Sequence, residues 1–137
     1  MKVLIDTNIV LDLILNREPF VESALILFEL IETTKIQGFI AATTITNIFY
    51  IIRKAQGRQK AIEAITRLST GLVICPVDRH VVERALECNL KDFEDGVQLA
   101  CAEINQLNAI VTRDISDFSS VELSILSIAE LQQLINC

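Results

Sequence analysis

The sequence has 137 residues, a length typical of one domain and sufficient to bury a core without disulfides or structural metals. Hydrophobic residues make up 51% and the mean hydropathy is +0.44, which excludes a disordered chain. Twelve Lys and Arg residues stand against 18 Asp and Glu, so the net charge is −6. Such a balance argues against a simple nucleic-acid-binding protein, whose contact surface should be basic.

The N-terminal apolar run Val3–Ile5 is interrupted by Asp6, so we expect no export signal, no membrane segment and a cytoplasmic location. The four cysteines show no CxxC spacing and His80 is the only histidine, which argues against a zinc site and a disulfide framework. We therefore expect unpaired, buried thiols.

The first half of the chain predicts two strands, each followed by helices. Lys2–Ile5 is a short apolar run, and apolar pairs then recur at helical spacing on both sides of a break at Asn16–Pro19. Gly38–Ala41 predicts the second strand. The helical pattern behind it is interrupted at Gly57 and continues to Gly71.

The second half predicts three more strands, at Leu72–Cys75, Ala109–Val111 and Leu123–Leu126. Helices are predicted after Asp78, which is suited as an N-cap, from Asp92 to Gln106, and from a capping box at Ser127 and Glu130. Strands that alternate with helices favour a three-layer α/β/α fold with a central parallel sheet. Because no linker or repeat is apparent, we expect residues 1–137 to form a single domain.

Acidic residues follow the predicted ends of the first and fourth strands and open the helix before the fourth strand: Asp6, Asp114, Asp117, Asp92, Glu94 and Asp95. Ligands of parallel sheets bind beyond the carboxyl ends of the strands, so these acids converge if the two strands are neighbours. Residues 92–117 hold six acids against Arg113 alone, a net charge of −5. Carboxylates this close repel one another unless a cation lies among them, and Mg²⁺ or Mn²⁺ suits such hard oxygen ligands.

Each acid also has a simpler structural explanation. Asp6 is suited to cap the first helix, and the three acids that open the later helix would complement its dipole. The two acids after the fourth strand are typical turn residues. Spacing alone does not decide between these roles and a metal site, although a shared sheet edge favours the metal.

Three blocks of the sequence resemble PIN-domain nucleases, in the family's order. Leu4-Ile5-Asp6-Thr7-Asn8 is similar to the family's opening, Asp95 resembles its third acid, and Asp114 with Asp117 resembles its fourth and fifth acidic positions. The resemblance covers nearly the whole chain. It implies about five parallel strands in the order 3-2-1-4-5 and cleavage of RNA that depends on Mg²⁺ or Mn²⁺. Many small members are VapC-like toxins held silent by a protein antitoxin.

The resemblance also implies roles for individual residues. The metal ligands and catalytic acids would be Asp6, Asp95, Asp114 and Asp117, with Asp92 as a further candidate ligand. The supporting groups that orient the acids or water would be Thr7, Asn8 and Thr112.

One position departs from the family pattern. The family usually places a Glu on the helix after the second strand, and here Asn47 stands in its place. Asn can ligate a metal through its amide oxygen but carries no charge, so Asp92 or Glu94 could serve instead. Two functions therefore stay open, namely an active ribonuclease and a catalytically degenerate PIN domain that binds RNA or a protein.

Basic residues are concentrated elsewhere in the chain. Residues 53–67 carry a net charge of +4, which leaves −10 on the remainder. Candidates for contacts with the RNA backbone are Arg53, Lys54, Arg58 and Lys60, although an ordinary solvated helix face would look the same. Exposed apolar helix faces, expected at this hydrophobic content, make a homodimer plausible.

Two other classes of protein also begin with an acid after the first strand. A haloacid-dehalogenase-type phosphatase needs a second Asp two residues after Asp6, where this chain has Asn8. A response-regulator receiver needs a phosphoacceptor Asp at the end of its third strand, and Cys75-Pro76-Val77 offers none, although Asp78 follows. Both classes are therefore disfavoured.

Overall fold

Five parallel strands form the centre of the computed structural model, which describes residues 1–118 and 123–136. The strands are β1 (Lys2–Ile5), β2 (Gln37–Ala41), β3 (Val73–Cys75), β4 (Ala109–Val111) and β5 (Ser124–Leu126). Their order is β3-β2-β1-β4-β5, as the family resemblance implied. Ile5 of β1 lies opposite Val111 of β4, so the strands that deliver the first and fourth blocks of acids are neighbours.

The helices of the described residues are α1 (Thr7–Ile14), α2 (Val21–Glu32), α3 (Ala42–Gln56), α4 (Arg58–Gly71), α5 (Arg79–Cys88), α6 (Phe93–Ile104) and α7 (Ile128–Asn136). A single 3₁₀ turn, Ile115–Asp117, follows β4. Gly57 separates α3 from α4 with a φ of +93°, a conformation that glycine adopts without steric cost. None of the described helices is both long and apolar enough to cross a membrane.

The three central strands of the sheet, β1, β2 and β4, are buried on both faces, which confirms the three-layer architecture. Successive side chains of a strand point to opposite faces. Val3 and Ile5 therefore pack into one core with α1, α2, α3, α4 and α7, whereas Leu4 packs into a second core with α5 and α6. The element that carries Asp95 thus covers one face of the sheet, and the helix that follows Asp6 covers the other.

The predicted element boundaries are confirmed within one or two residues, and side-chain caps mark the starts of α5, α6 and α7. Asp78 Oδ1 accepts a hydrogen bond from the Val81 amide at 3.1 Å. Ser127 and Glu130 form the predicted reciprocal capping box. The helix predicted to reach Gln106 ends two residues earlier, and Gln106 itself has a φ of +55°, outside the helical region.

The described cysteines are unpaired, as predicted. Cys75 and Cys101 are buried, and burial raises the pKa of their thiols to about 11 and about 12. Cys88 is only half-buried, which departs from the expectation of a buried thiol. Cys137 lies outside the described residues.

Candidate metal centre

Asp6 lies at the carboxyl end of β1 and is only 4% exposed. It occupies the N-cap position of α1, but its side chain accepts no capping hydrogen bond from that helix. Its Oδ2 accepts a hydrogen bond from Thr112 Oγ1 at 2.8 Å, and its Oδ1 accepts one from Gln98 Nε2 at 3.1 Å. The carboxylate is therefore held by β4 and α6, and capping does not explain it.

Gln98 links Asp6 to Asp95. Gln98 and Asp95 are three positions apart on α6 and so share one helix face. Gln98 Nε2 also lies 3.5 Å from Asp95 Oδ1. Gln98 is fully buried, and its Oε1 has no hydrogen-bond partner among the described residues. A single neutral amide group thus bridges two carboxylates, whose mutual repulsion it does not remove.

Glu94, next to Asp95, makes a second connection between α6 and the end of β1. Its Oε1 accepts a hydrogen bond from Thr7 Oγ1 at 2.8 Å, and the Thr7 and Thr44 hydroxyl oxygens lie 3.3 Å apart. Thr7 and Thr44 are both buried. The N-terminal turns of α1, α3 and α6 therefore meet around these side chains.

The segment after β4 brings two more acids to the same region. Thr112 Oγ1, which donates to Asp6, also accepts a hydrogen bond from the Asp114 amide at 2.9 Å. Asp114 is half-buried and Asp117 is exposed. The charge of Asp114 acts on Asp6, and the charge of Asp117 acts on Asp95.

The electrostatics of the site disfavour ionised carboxylates. Burial is the largest cause that raises the pKa of Asp95 to about 7, and the negative charges of its acidic neighbours raise it further: Asp6, Asp92, Glu94 and Asp117. Burial also raises the pKa of Asp6, although its two hydrogen bonds oppose the shift. Both acids are thus poised to gain from a nearby positive charge.

The donor groups around Asp6 and Asp95 fit a hard divalent cation. They are carboxylate, hydroxyl and amide oxygens, which Mg²⁺ and Mn²⁺ prefer, and the described part of this cluster contains no thiol or imidazole. Within residues 1–118 and 123–136, however, no three His, Cys, Asp or Glu side chains are arranged closely enough to hold a metal ion as they stand. The donor chemistry therefore fits, although a coordination sphere is not already formed.

The other predicted site residues are placed less centrally. Asp92 is exposed and its Oδ1 accepts a hydrogen bond from the Glu94 amide at 2.8 Å, so the capping explanation applies to it. Asn47 is exposed on α3. Asn8 is half-buried, and its side chain makes no hydrogen bond to an acid within the described residues.

The charge count for residues 92–117 includes two residues that are paired outside the pocket, but one is an acid and the other a base, so the net charge of −5 is the same without them. Glu103 lies at the opposite end of α6, where its Oε2 pairs with Arg84 of α5 at 2.6 Å. Arg113 pairs with Asp12 of α1. Neither pairing is encoded in local spacing.

The sequence does contain a signal for Gln98 as a functional residue. It is the only polar side chain between Gly96 and Ala102, in an otherwise apolar run.

The basic residues predicted to contact RNA lie on the surface. Arg53, Lys54, Arg58 and Lys60 are all exposed along α3 and α4, and none of them forms an ion pair with another described residue. Tyr50, on the preceding turn of α3, is 59% exposed, while Phe49 packs partly against the core.

These features agree with the comparison of the sequence with protein families. A family model described as the PIN domain matches residues 2–116. The chain belongs to the PIN-domain family. A search of curated proteins gave no match to this PIN domain.

Solved structures share the fold of this PIN domain at low sequence identity. A toxin–antitoxin complex from Klebsiella pneumoniae is 23% identical, with a TM-score of 0.68 and coverage of 92% of this chain and 97% of that chain. VapBC2 from Rickettsia felis, bound to a DNA fragment from its promoter, is 16% identical, with a TM-score of 0.73 and coverage of 93% and 98%. Mycobacterium tuberculosis VapC20, described as a toxin that cleaves the sarcin–ricin loop, is 16% identical, with a TM-score of 0.65 and coverage of 79% and 86%. At these identities the likeness establishes the fold.

Proposed function

We propose that this PIN domain is a divalent-metal-dependent endoribonuclease that hydrolyses phosphodiester bonds of RNA. The observation that carries the proposal is the pair of carboxylates, Asp6 and Asp95, joined by the Gln98 amide at the carboxyl edge of the sheet. Burial raises the pKa of both acids. Titratable groups shifted in this way are typical of functional sites rather than of turns and caps.

The residues that would hold Mg²⁺ or Mn²⁺ are Asp6, Asp95, Asp114 and Asp117. A divalent cation at this edge supplies Lewis acidity toward an attacking water and positive charge beside the scissile phosphate. Thr112 and Gln98 keep the two oxygens of Asp6 in a defined orientation, as groups behind metal ligands commonly do. The Thr112 hydroxyl also accepts a hydrogen bond from the backbone amide of Asp114.

The exposed basic residues of α3 and α4 support RNA as the substrate. Arg53, Lys54, Arg58 and Lys60 are free to neutralise phosphates of a bound strand, because they are not engaged in ion pairs within the described part of the protein. Contacts of this kind position nucleic acid and raise affinity without reading sequence. They also resolve the contradiction between the net charge of −6 and a polyanionic substrate.

A protein antitoxin is the partner we propose, since three of the structures that share the fold are toxin–antitoxin or VapBC complexes. A groove of about 870 Å³ between α2 and α4 is the surface such a partner would cover. Its lining combines apolar residues, among them Leu25, Phe28 and Leu68, with charged ones: Glu29, Glu32, Lys60, Glu63 and Arg67. A neighbouring-gene product should therefore co-purify with the wild type and with Leu86→Glu, but not with Leu25→Glu. Failure of any such product to co-purify with the wild type would count against the antitoxin.

A homodimer remains part of the proposal, on the strength of apolar side chains exposed on α5. Leu86 is 64% exposed and Val82 is 39% exposed, and their i, i+4 spacing places them on one helix face. Light scattering should give the mass of a dimer for the wild type and of a monomer for Leu86→Glu. A monomeric wild type at high concentration would overturn this part.

The ribonuclease proposal is tested by cleavage of RNA with Mg²⁺ or Mn²⁺ and with EDTA. Asp6→Asn and Asp95→Asn should each abolish cleavage, whereas Asp78→Asn should not, because it removes the same charge at a remote helix cap that Asn also serves. Cleavage that survives both site substitutions, or that never appears with any metal, would refute the enzymatic proposal. RNA or protein binding without cleavage would then favour the catalytically degenerate PIN domain, which the uncharged Asn47 supports.

A further inference from the structure

A PIN-type site with a glutamate on α3 would have a fifth carboxylate beside Asp6, Asp95, Asp114 and Asp117, and this chain lacks one there. α3 (Ala42–Gln56) contains no Asp or Glu along its whole length. Asn47 is exposed on that helix and carries no charge. If the site has a fifth carboxylate, it must therefore come from another element.

Glu94 has the position that this role requires. It lies in the first turn of α6, directly before Asp95, and its carboxylate is held by Thr7, the residue directly after Asp6. Two hydrogen-bonded links therefore join the same two chain segments, one from Asp6 through Gln98 to Asp95 and one from Thr7 to Glu94.

The contact with Thr7 also joins Glu94 to the start of α3. A hydroxyl has one proton, and a carboxylate is the stronger acceptor, so Thr7 donates to Glu94 and accepts from Thr44. Thr44 lies three residues before Asn47 on α3 and is fully buried. The Glu94 carboxylate is thus tied, through buried hydroxyls, to the helix that lacks an acid of its own.

A role for Glu94 as a simple complement to the α6 dipole explains less. Any exposed acid in the first turn would serve the dipole, and Asp92 already caps this helix. Glu94 is instead half-buried, turned toward Thr7, and its negative charge acts on both Asp6 and Asp95. Placing a third negative charge there is unfavourable unless a cation offsets it.

We infer that Glu94 is the fifth carboxylate of the metal site, beside Asp6, Asp95, Asp114 and Asp117. It takes the place of the acid that α3 lacks, so that α6 supplies two ligands in succession. This inference rests on the proposed function, because it assumes a divalent cation at Asp6 and Asp95.

Binding of Mn²⁺ alone, measured by calorimetry and by the electron paramagnetic resonance signal of bound Mn²⁺, tests the inference without any cleavage assay. Glu94→Gln keeps the size of the side chain and an oxygen for Thr7 but removes the charge. We expect it to weaken Mn²⁺ affinity about 10- to 100-fold. The matched control is Glu22→Gln, an exposed acid in the first turn of α2, which should leave affinity unchanged, as should Asn47→Ala.

The outcomes separate the two proposals. If the wild type binds no Mn²⁺, the proposed function fails and this inference fails with it. If the wild type binds Mn²⁺ and Glu94→Gln binds it equally well, only the assignment of Glu94 is wrong. A loss of affinity on Asn47→Ala with none on Glu94→Gln would assign the role to Asn47 instead.

A rescue experiment distinguishes loss of a ligand from damage to the fold. Asn47→Glu in the Glu94→Gln background restores one carboxylate on α3, and we expect it to recover at least part of the lost Mn²⁺ affinity. In the wild-type background the same change should alter affinity less, because the charge is already present. No recovery in a folded double variant would contradict the exchange of roles between α3 and α6.

Discussion

Two buried aspartates, six residues apart, have different hydrogen-bonding and charged partners. Asp6 stands at the start of α1 and is 4% exposed, and Asp12 lies within α1 and is 1% exposed. Asp12 is paired with two arginines: Arg113 Nε lies 2.9 Å from its Oδ2, and Arg17 Nη1 lies 3.6 Å from its Oδ1. Its charge is therefore offset within the protein itself.

Asp6 receives only neutral donors among the described residues, the Thr112 hydroxyl and the Gln98 amide. The charges that raise its pKa are those of Asp114 and Glu94, and Arg113, the cation near it, is hydrogen-bonded to Asp12 instead. Burial of an unpaired carboxylate is costly. The protein offsets this cost with arginines at Asp12 but not at Asp6. Asp12 has the surroundings of a structural ion pair, and Asp6 has those of a group that would be stabilised by an external cation.

Arg113 connects the two regions. It follows Thr112 and precedes Asp114, so its side chain anchors the segment after β4 to α1, and its guanidinium stacks over the Phe20 ring at 4.0 Å. The hydrogen bond and the charge of Asp12 raise the pKa of Arg113. The structural pair therefore helps to hold Asp114 beside the candidate metal site.

The largest expected effect is the loss of RNA cleavage when Asp6, rather than Asp12, is substituted. Asp6→Asn should lower RNA cleavage at least ~100-fold, equivalent to about 2.7 kcal/mol of transition-state stabilisation. The same change should leave the midpoint of urea unfolding unchanged or higher in EDTA, since it removes a buried acid whose pKa is raised. A large loss of stability in Asp6→Asn would show that this carboxylate is structural, like Asp12.

Substitution of Asp12 should instead lower the stability of the protein. Asp12→Asn removes one partner from a pair whose arginine side chains remain 31% and 35% exposed. We therefore expect a loss of about 1–3 kcal/mol in the free energy of unfolding, below the value for a fully buried pair. Urea denaturation measures it, with Asp78→Asn as the exposed control. Unfolding at an unchanged midpoint would contradict the ion pair.

The pH dependence should sharpen the contrast at Asp95. Its pKa is raised to about 7 from an ordinary 3.8, so between these values the folded state binds more protons than the unfolded state. Stability in EDTA should therefore fall as pH rises from about 4 to about 7. Asp95→Asn should flatten this slope, while Mn²⁺ affinity of the wild type should rise through pH 7. An equal slope in Asp95→Asn would contradict the raised pKa.

The smallest of these effects concerns the basic surface. Replacing Arg53, Lys54, Arg58 and Lys60 together by Gln should weaken RNA binding and lower the slope of log affinity against log salt by up to about 3, at ~0.7 for each single-strand phosphate contact. Filter binding between low and moderate salt measures the slope. Arg79→Gln on α5, which removes an exposed charge paired with Glu83, is the control. An unchanged slope in the fourfold variant would place RNA on another surface.

Local patterns in the sequence accounted for most of the fold. Apolar periodicity located the strands, and capping residues such as Asp78 and Ser127 marked helix starts, because a cap acts within three residues of itself. The clustered acids themselves predicted the divalent metal, whereas the strand order and the toxin-like function came from the family resemblance. The structure confirms the strand order, whereas the metal and the RNA substrate stay predictions.

The composition of the pocket was less accessible to sequence. Glu103 and Arg113 were counted with the pocket because they lie near it along the chain, yet each is paired elsewhere, with Arg84 and with Asp12. A search for clustered charges does not identify Gln98, because a glutamine side chain is neutral. Charge counts along a stretch of helix ignore which end and which face each residue occupies.

By itself, then, the sequence determined the strands, the helix limits and the placement of acids where strands end, because these depend on residues close together in the chain. Only the tertiary structure decided which acids share a pocket and which are neutralised. Thr112 reaches Asp6 across 106 residues and Glu94 reaches Thr7 across 87. Contacts over such separations depend on the neighbouring positions of β1 and β4 and on the packing of α6 against them, which no local spacing encodes.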